Sequence, residues 1–208
     1  MMNATEYWDH LGDFNNTTWP VQIIWIICTI IVGITLFRKY SNWSNNVLKL
    51  LLSFAFAWNG IVFFILFSHG PIHHYFFSPL FILIALLFIV DVITKKTELR
   101  LPDRKWIRYI TYIWILSWLL YPFVGIALGR TFPEVCTPMN PCPLTAFSIA
   151  LMVASIPKVY KTLYIVLLPW ALLGLPKCLG MYQCYEDCIL FVAGVFGLVM
   201  IIINWKRI

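Results

Sequence analysis

Apolar runs and basic loops alternate along this chain, and that alternation restricts it to a membrane fold. Seven apolar runs can be read, at about 20–37, 47–68, 79–94, 107–128, 143–157, 162–176 and 188–204. The segments after the first, third, fifth and seventh runs carry thirteen of the fifteen Lys and Arg residues. Only Arg130 and Lys177 fall on the opposite side. Lys and Arg in short loops are retained on the cytoplasmic face. The pattern predicts an all-α membrane protein of seven transmembrane helices, with the amino terminus outside and the carboxyl terminus cytoplasmic. The whole chain, 1–208, reads as one transmembrane domain of an inner or plasma membrane.

Composition agrees where it bears on the argument. The chain is 61% hydrophobic and only 12% charged, against about 25% charged in soluble proteins. Its longest basic loop, from Lys95 to Lys105, is too short to be a soluble domain. The basic balance therefore implies contact with anionic lipid headgroups and no nucleic acid. Residues 1–19 are acidic and polar instead of basic then apolar, unlike a cleaved export signal. Runs three, five and six are shorter than the usual span of about 20 residues and are expected to borrow flanking residues.

The non-cytoplasmic side carries the unusual chemistry. All four histidines lie there, with five of the six cysteines; Cys28 alone sits inside a span. An oxidising compartment lets disulfides persist. Cys136 is expected to pair with Cys142, and two of Cys178, Cys184 and Cys188 can form a second bridge. The alternative is a metal or thiol site built from His69, His73, His74, Cys178, Cys184 and Cys188, since thiolate and imidazole suit Zn²⁺ or Cu(I). No C-x-x-C pair supports it. His73 and His74 follow Gly70-Pro71, a turn signal.

Charge inside the spans is scarce. Asp91 lies in run three, four residues before Lys95, and an i,i+4 ion pair is expected there. The last run has no lysine for a retinal Schiff base, and no carboxylate chain suits a proton pump. No Ser-His-Asp frame, paired intramembrane acids or H-E-x-x-H motif marks an enzyme. The neutral polar residues Gln22 and Asn59, with Trp58, Thr145 and Trp170, are the candidates to line a mid-membrane substrate cavity. Pro122 and Pro169 within spans favour such a cavity, because a freed carbonyl needs a polar partner.

The chain also divides as three, one and three spans. Runs one and five both open on proline, at Pro20 with Gln22 two residues on, and at Pro143 with Thr145 two residues on. Runs two and six each hold a tryptophan, Trp58 and Trp170. Parallel repeats of this kind occur in transporters.

Several segments together resemble a family of bacterial integral membrane proteins of unassigned function, sometimes loosely labelled permease. They are Phe14-Asn15 with Trp19-Pro20-Val21-Gln22, Ala57-Trp58-Asn59-Gly60-Ile61, Pro141-Cys142-Pro143-Leu144-Thr145-Ala146-Phe147, Pro169-Trp170-Ala171-Leu172, and Asp187 with Ala193-Gly194. The family form of the third segment is Pro-Cys-Pro-Thr-Thr-(Ile/Val)-Phe, and Leu144 here replaces its first threonine. The resemblance implies a multi-span fold and no particular substrate. The residues favour a small-solute permease without a cofactor. An outer-facing Cys/His metal- or thiol-handling module and a structural subunit of a membrane complex or homo-oligomer are the alternatives.

Overall fold

The computed structural model describes residues 4–68 and 70–208. Among them there are helices, turns and loops and no strand. Helix α1 runs Ala4–Arg38, and α2 runs Asn42–Trp58 and continues as a π-helix over Asn59–Phe67. A π-helical turn, His73–Phe77, leads into α3, Ser78–Thr94. Then follow α4, Lys105–Ala127; α5, Pro141–Ala154; α6, Lys161–Leu172; and α7, Asp187–Ile203. Between α6 and α7 lie a short turn, Gly174–Pro176, and a π-helical stretch, Lys177–Met181.

Five of these segments are long and apolar enough to cross a membrane: Ala4–Arg38, Asn42–Phe67, His73–Thr94, Lys105–Ala127 and Lys161–Gly180. This is the make-up of a multi-pass membrane protein. Segments three and six gain their length from π-helical flanks, as their short apolar runs required. The two remaining apolar helices, Pro141–Ala154 and Asp187–Ile203, are shorter. The polar amino-terminal stretch forms no loop; it extends α1, burying Trp8, Leu11, Phe14 and Asn15.

Helix α5 is the axis of the bundle. Every residue from Pro141 to Ala154 is buried, and the helix packs against α2, α4, α6 and α7. A helix apolar on all faces belongs in a core. The outer helices bury one side and leave the other apolar and exposed, as at Ile24 of α1, Ile113 of α4 and Ile202 of α7. Close approach comes from glycine. A Cβ on Gly197 would lie 2.6 Å from Ile149, and one on Gly194 would lie 2.8 Å from Ala171. Small residues at such crossings let membrane helices pack tightly.

Several polar groups between helices are satisfied by backbone carbonyls of neighbouring helices, since the bilayer core offers no water. Trp25 Nε1 donates to the Leu51 carbonyl at 2.7 Å, Ser53 Oγ to Ala85 at 2.8 Å and Tyr164 OH to Gly197 at 2.7 Å. The expected Asp91–Lys95 pair does not form. Lys95 takes a left-handed conformation, φ 54°, and ends α3. Asp91 instead meets Lys49 of α2, with Nζ 3.1 Å from Oδ2 and both side chains fully buried. Its Oδ1 accepts the Thr97 amide at 2.9 Å. Lys49, counted in a basic loop from sequence, is thus a core residue that ties α2 to α3.

Removing one partner of a buried ion pair leaves an uncompensated charge, at a cost of about 3–5 kcal/mol. Lys49→Ala and Asp91→Ala are each expected to destabilise by that order. The double variant should lose clearly less than the sum, as thermal or denaturant unfolding in detergent would show.

Candidate functional site

The five residues expected to line one cavity are dispersed. Gln22 is buried and braces α1: its Nε2 donates to Asn15 Oδ1 at 3.1 Å and to Thr18 Oγ1 at 2.8 Å, and its Oε1 accepts from the Thr137 hydroxyl. Asn15 in turn donates to the carbonyls of Pro133 and Val135, both at 2.8 Å. Asn59 is fully buried and donates to Ala55 and Met139 carbonyls, each at 2.8 Å. Its side chain competes for the carbonyl that its own amide also uses, and from Asn59 the helix widens to π geometry. Thr145 bonds back to Pro141 within α5 at 2.8 Å. Trp58 is half-buried against Phe54, 5.6 Å between ring centres, with a buried indole nitrogen that has no partner. Trp170 is packed edge-on to Phe64, Phe77 and Phe81. The gap beside Trp170 amounts to about 10 Å³, room for about one water and too small for a solute. Gln22 lines a separate surface cavity of about 370 Å³ between α1, α4 and the 132–138 loop.

Among the described residues, the cysteines that come together with a third possible metal ligand, Cys136 and Cys184, do so with Glu186 and without a histidine. His73 Nδ1 and Ser68 Oγ lie 3.0 Å apart, and His74 Nε2 is 3.2 Å from the Ser68 carbonyl, so both shape the turn before α3. His69 lies outside the described residues. Cys178 and Cys188 form a disulfide with a 2.06 Å S–S distance, which removes both from any ligand set. Cys136 and Cys142 are not bridged; each is a buried free thiol. Asn15 holds Val135 and turns Cys136 toward Cys184. Pro141 starts α5 in between, and Cys142 faces Asp187 of α7.

Two connected clusters result. In the first, the Cys142 thiol donates to Asp187 Oδ2 at 3.2 Å, and Tyr121 OH donates to Oδ1 at 2.8 Å. Lys177 Nζ is 3.6 Å from the same sulfur and stands 3.2 Å from the centre of the Trp170 ring. In the second, the ligating atoms of Cys136, Cys184 and Glu186 all lie within 4.8 Å of one another, and all three residues are buried. Glu186 is 1% exposed, and neither of its carboxylate oxygens has a hydrogen-bond partner. Gly125 of α4 makes room for it, since a Cβ there would lie 3.4 Å from Glu186 Oε1.

Burial holds the Glu186 carboxyl above the usual range, and Asp187 adds to it, against the opposing pull of its own backbone, Arg130 and Cys184. The hydrogen bond with Cys184 favours a Cys136 thiolate, but burial with Glu186 and Asp187 outweighs it and pushes Cys136 up to about 12. Burial raises Cys184 likewise. The amino-terminal part of α1 covers the clusters. Tyr7 stacks on Tyr182 with centres 4.4 Å apart, and Trp8 Nε1 donates to the Tyr182 carbonyl at 3.0 Å. The Arg130 guanidinium lies 3.2 Å over the Trp8 ring.

Sequence reasoning missed Glu186, Asp187, Tyr121 and Lys177 as site residues. One signal was available: Arg130 and Lys177, the two exceptions to the basic-loop pattern, are both held on tryptophan rings beside these clusters. Every segment through which the chain resembles its family also reaches this end, through Asn15, Asn59, Cys142, Trp170 and Asp187.

Over residues 4–207 the chain matches the model of a family of unknown function, DUF6064. It belongs to that family. No curated protein and no solved structure matches it. In this DUF6064 chain the amide of Asn59 has no solvent to turn to when its partners are lost. Asn59→Ala is therefore expected to lower stability by about 1–3 kcal/mol, read as a fall in melting temperature in detergent; an unchanged melting temperature would show that water reaches this position.

Proposed function

We propose that this chain is a seven-span plasma-membrane protein that binds a transition metal at its outer end. The amino terminus faces outside and the carboxyl terminus the cytoplasm. Cys136, Cys184 and Glu186 are the ligands. The observation that carries this reading is their convergence around a buried carboxylate without a hydrogen-bond partner. A buried polar group normally has a partner, and a cation supplies one to all three residues at once.

Two thiolates and a carboxylate suit a borderline-soft divalent ion, with Zn²⁺ the first choice. Three protein ligands leave a fourth tetrahedral position open, as in zinc sites that exchange water or substrate. The adjoining Lys177 and Arg130 offset the negative charge of a dithiolate–carboxylate site. Asp187, one residue from Glu186, accepts from the Tyr121 hydroxyl of α4, which fixes the start of α7. The protein is then a metal-holding or metal-sensing module. A permease fits the packing less well, because Gln22 braces α1 against Thr137 and the Asn59 amide nitrogen is taken by the Ala55 and Met139 carbonyls. The basic-loop pattern supports the orientation. The three-one-three division gains support from the second span of each triplet, which turns π-helical over Asn59–Phe67 and Lys177–Met181.

The metal reading predicts one Zn²⁺ or Co²⁺ per chain after gentle purification, with thiolate-to-Co²⁺ absorption on substitution. Cys136→Ser, Cys184→Ser and Glu186→Gln should each weaken binding about tenfold or more, while Cys28→Ser leaves it unchanged. Metal-free protein that yields a Cys136–Cys184 disulfide in non-reduced digests would replace this reading with a thiol-redox one. For the orientation, single cysteines placed at Tyr75 and at Lys96 in a chain lacking its free thiols should separate: an impermeant reagent added outside labels the first, and the second only after permeabilisation.

A further inference from the structure

The opposite end of the bundle holds a cavity of about 350 Å³, where the start of α4 meets the ends of α5 and α7. Three arginines line it: Arg100 and Arg104 from the loop before α4, and Arg207 after α7. Among the described residues the ion pairs are Lys49–Asp91 and Lys158–Glu98, so none of the three arginines is matched with a carboxylate. Helix α4 begins in the same wall, at Lys105, and no side chain caps its first turn. A helix start presents free amides and positive potential, which suit an anion. The floor is apolar, with Val153, Met200 and Ile203. Asp103 also lines the cavity and opposes an anion.

Guanidinium groups around a helix start fit a phosphate, and a hydrocarbon floor beneath them fits an acyl chain. Free phosphate would use the first feature and leave the second without a role. The cavity sits where the apolar helices end, at the basic end of the bundle. We propose that it binds one anionic phospholipid, its phosphate held by Arg100, Arg104 and Arg207 and its acyl chains on the floor between α5 and α7. This site is independent of the metal reading, since it lies at the far end and shares no residue with it. Basic pockets between membrane helices on the cytoplasmic side are suited to acidic lipid headgroups.

The test uses the full chain purified in neutral detergent, with three additions compared at matched ionic strength. Phosphatidylglycerol should raise the melting temperature by about 5 °C near saturation and should be retained at one copy per chain in native mass spectrometry. Phosphatidylcholine and inorganic phosphate should do neither. Arg100→Gln and Arg207→Gln should each weaken the phosphatidylglycerol response about fivefold. Asp103→Asn should strengthen it, an effect that misfolding would not imitate. Equal responses to phosphatidylglycerol and phosphatidylcholine would overturn the proposal, as would a response untouched by all three substitutions. Inorganic phosphate reproducing the full shift would reassign the cavity to a soluble anion and overturn the lipid.

Discussion

The enclosure of α5 sets the terms for the rest of the fold. A fourteen-residue helix is about 21 Å long, short of the hydrocarbon thickness of about 30 Å. It can lie in a bilayer because four other helices surround it and no part of it faces lipid. The loops at its two ends are therefore drawn in among the neighbouring helices, where backbone groups need protein partners. At the cysteine-rich end Asn15, Asn59 and Trp118 supply them, reaching the carbonyls of Pro133, Val135, Met139 and Pro138. At the basic end the loop after α5 is held by the loop before α4: the Tyr160 amide donates to Thr97 Oγ1 and the Glu98 amide to the Lys158 carbonyl.

That inward displacement also explains where chemistry can occur. The middle of the bundle is closed by aromatic rings around Trp170 and by glycine-mediated contacts of α7. The ends are different. One folds cysteines and carboxylates beneath the amino-terminal part of α1. The other opens between arginines. Metal at the first and anionic lipid at the second would each stabilise the folded chain, because both bind groups that are scattered in the unfolded one.

The Lys49–Asp91 pair shows how tertiary contacts overrode a local rule. Four-residue spacing made Lys95 the natural partner of Asp91, but a left-handed Lys95 ends the helix there and leaves Asp91 to α2. A cation fully buried between helices is stable only with its carboxylate beside it. Local sequence cannot show that α2 and α3 pack so closely along this stretch, and so Lys49 reads as a loop residue.

The sequence by itself determined the helical class, the apolar segments and the polarity of charge between the two ends, because these follow from local composition and periodicity. It also marked Arg130 and Lys177 as misplaced cations. The tertiary structure alone decided the pairings. Cys136 and Cys142, six residues apart, face different partners because Pro141 starts α5 between them, while Cys178 and Cys188, ten apart, close a bridge. Gln22 and Asn59 read as cavity residues because a buried amide and a pore-lining amide look alike until their partners are known. Cys136, Cys184 and Glu186 meet across about fifty residues of chain, and that distance is spanned only when α4, α5 and α7 pack together.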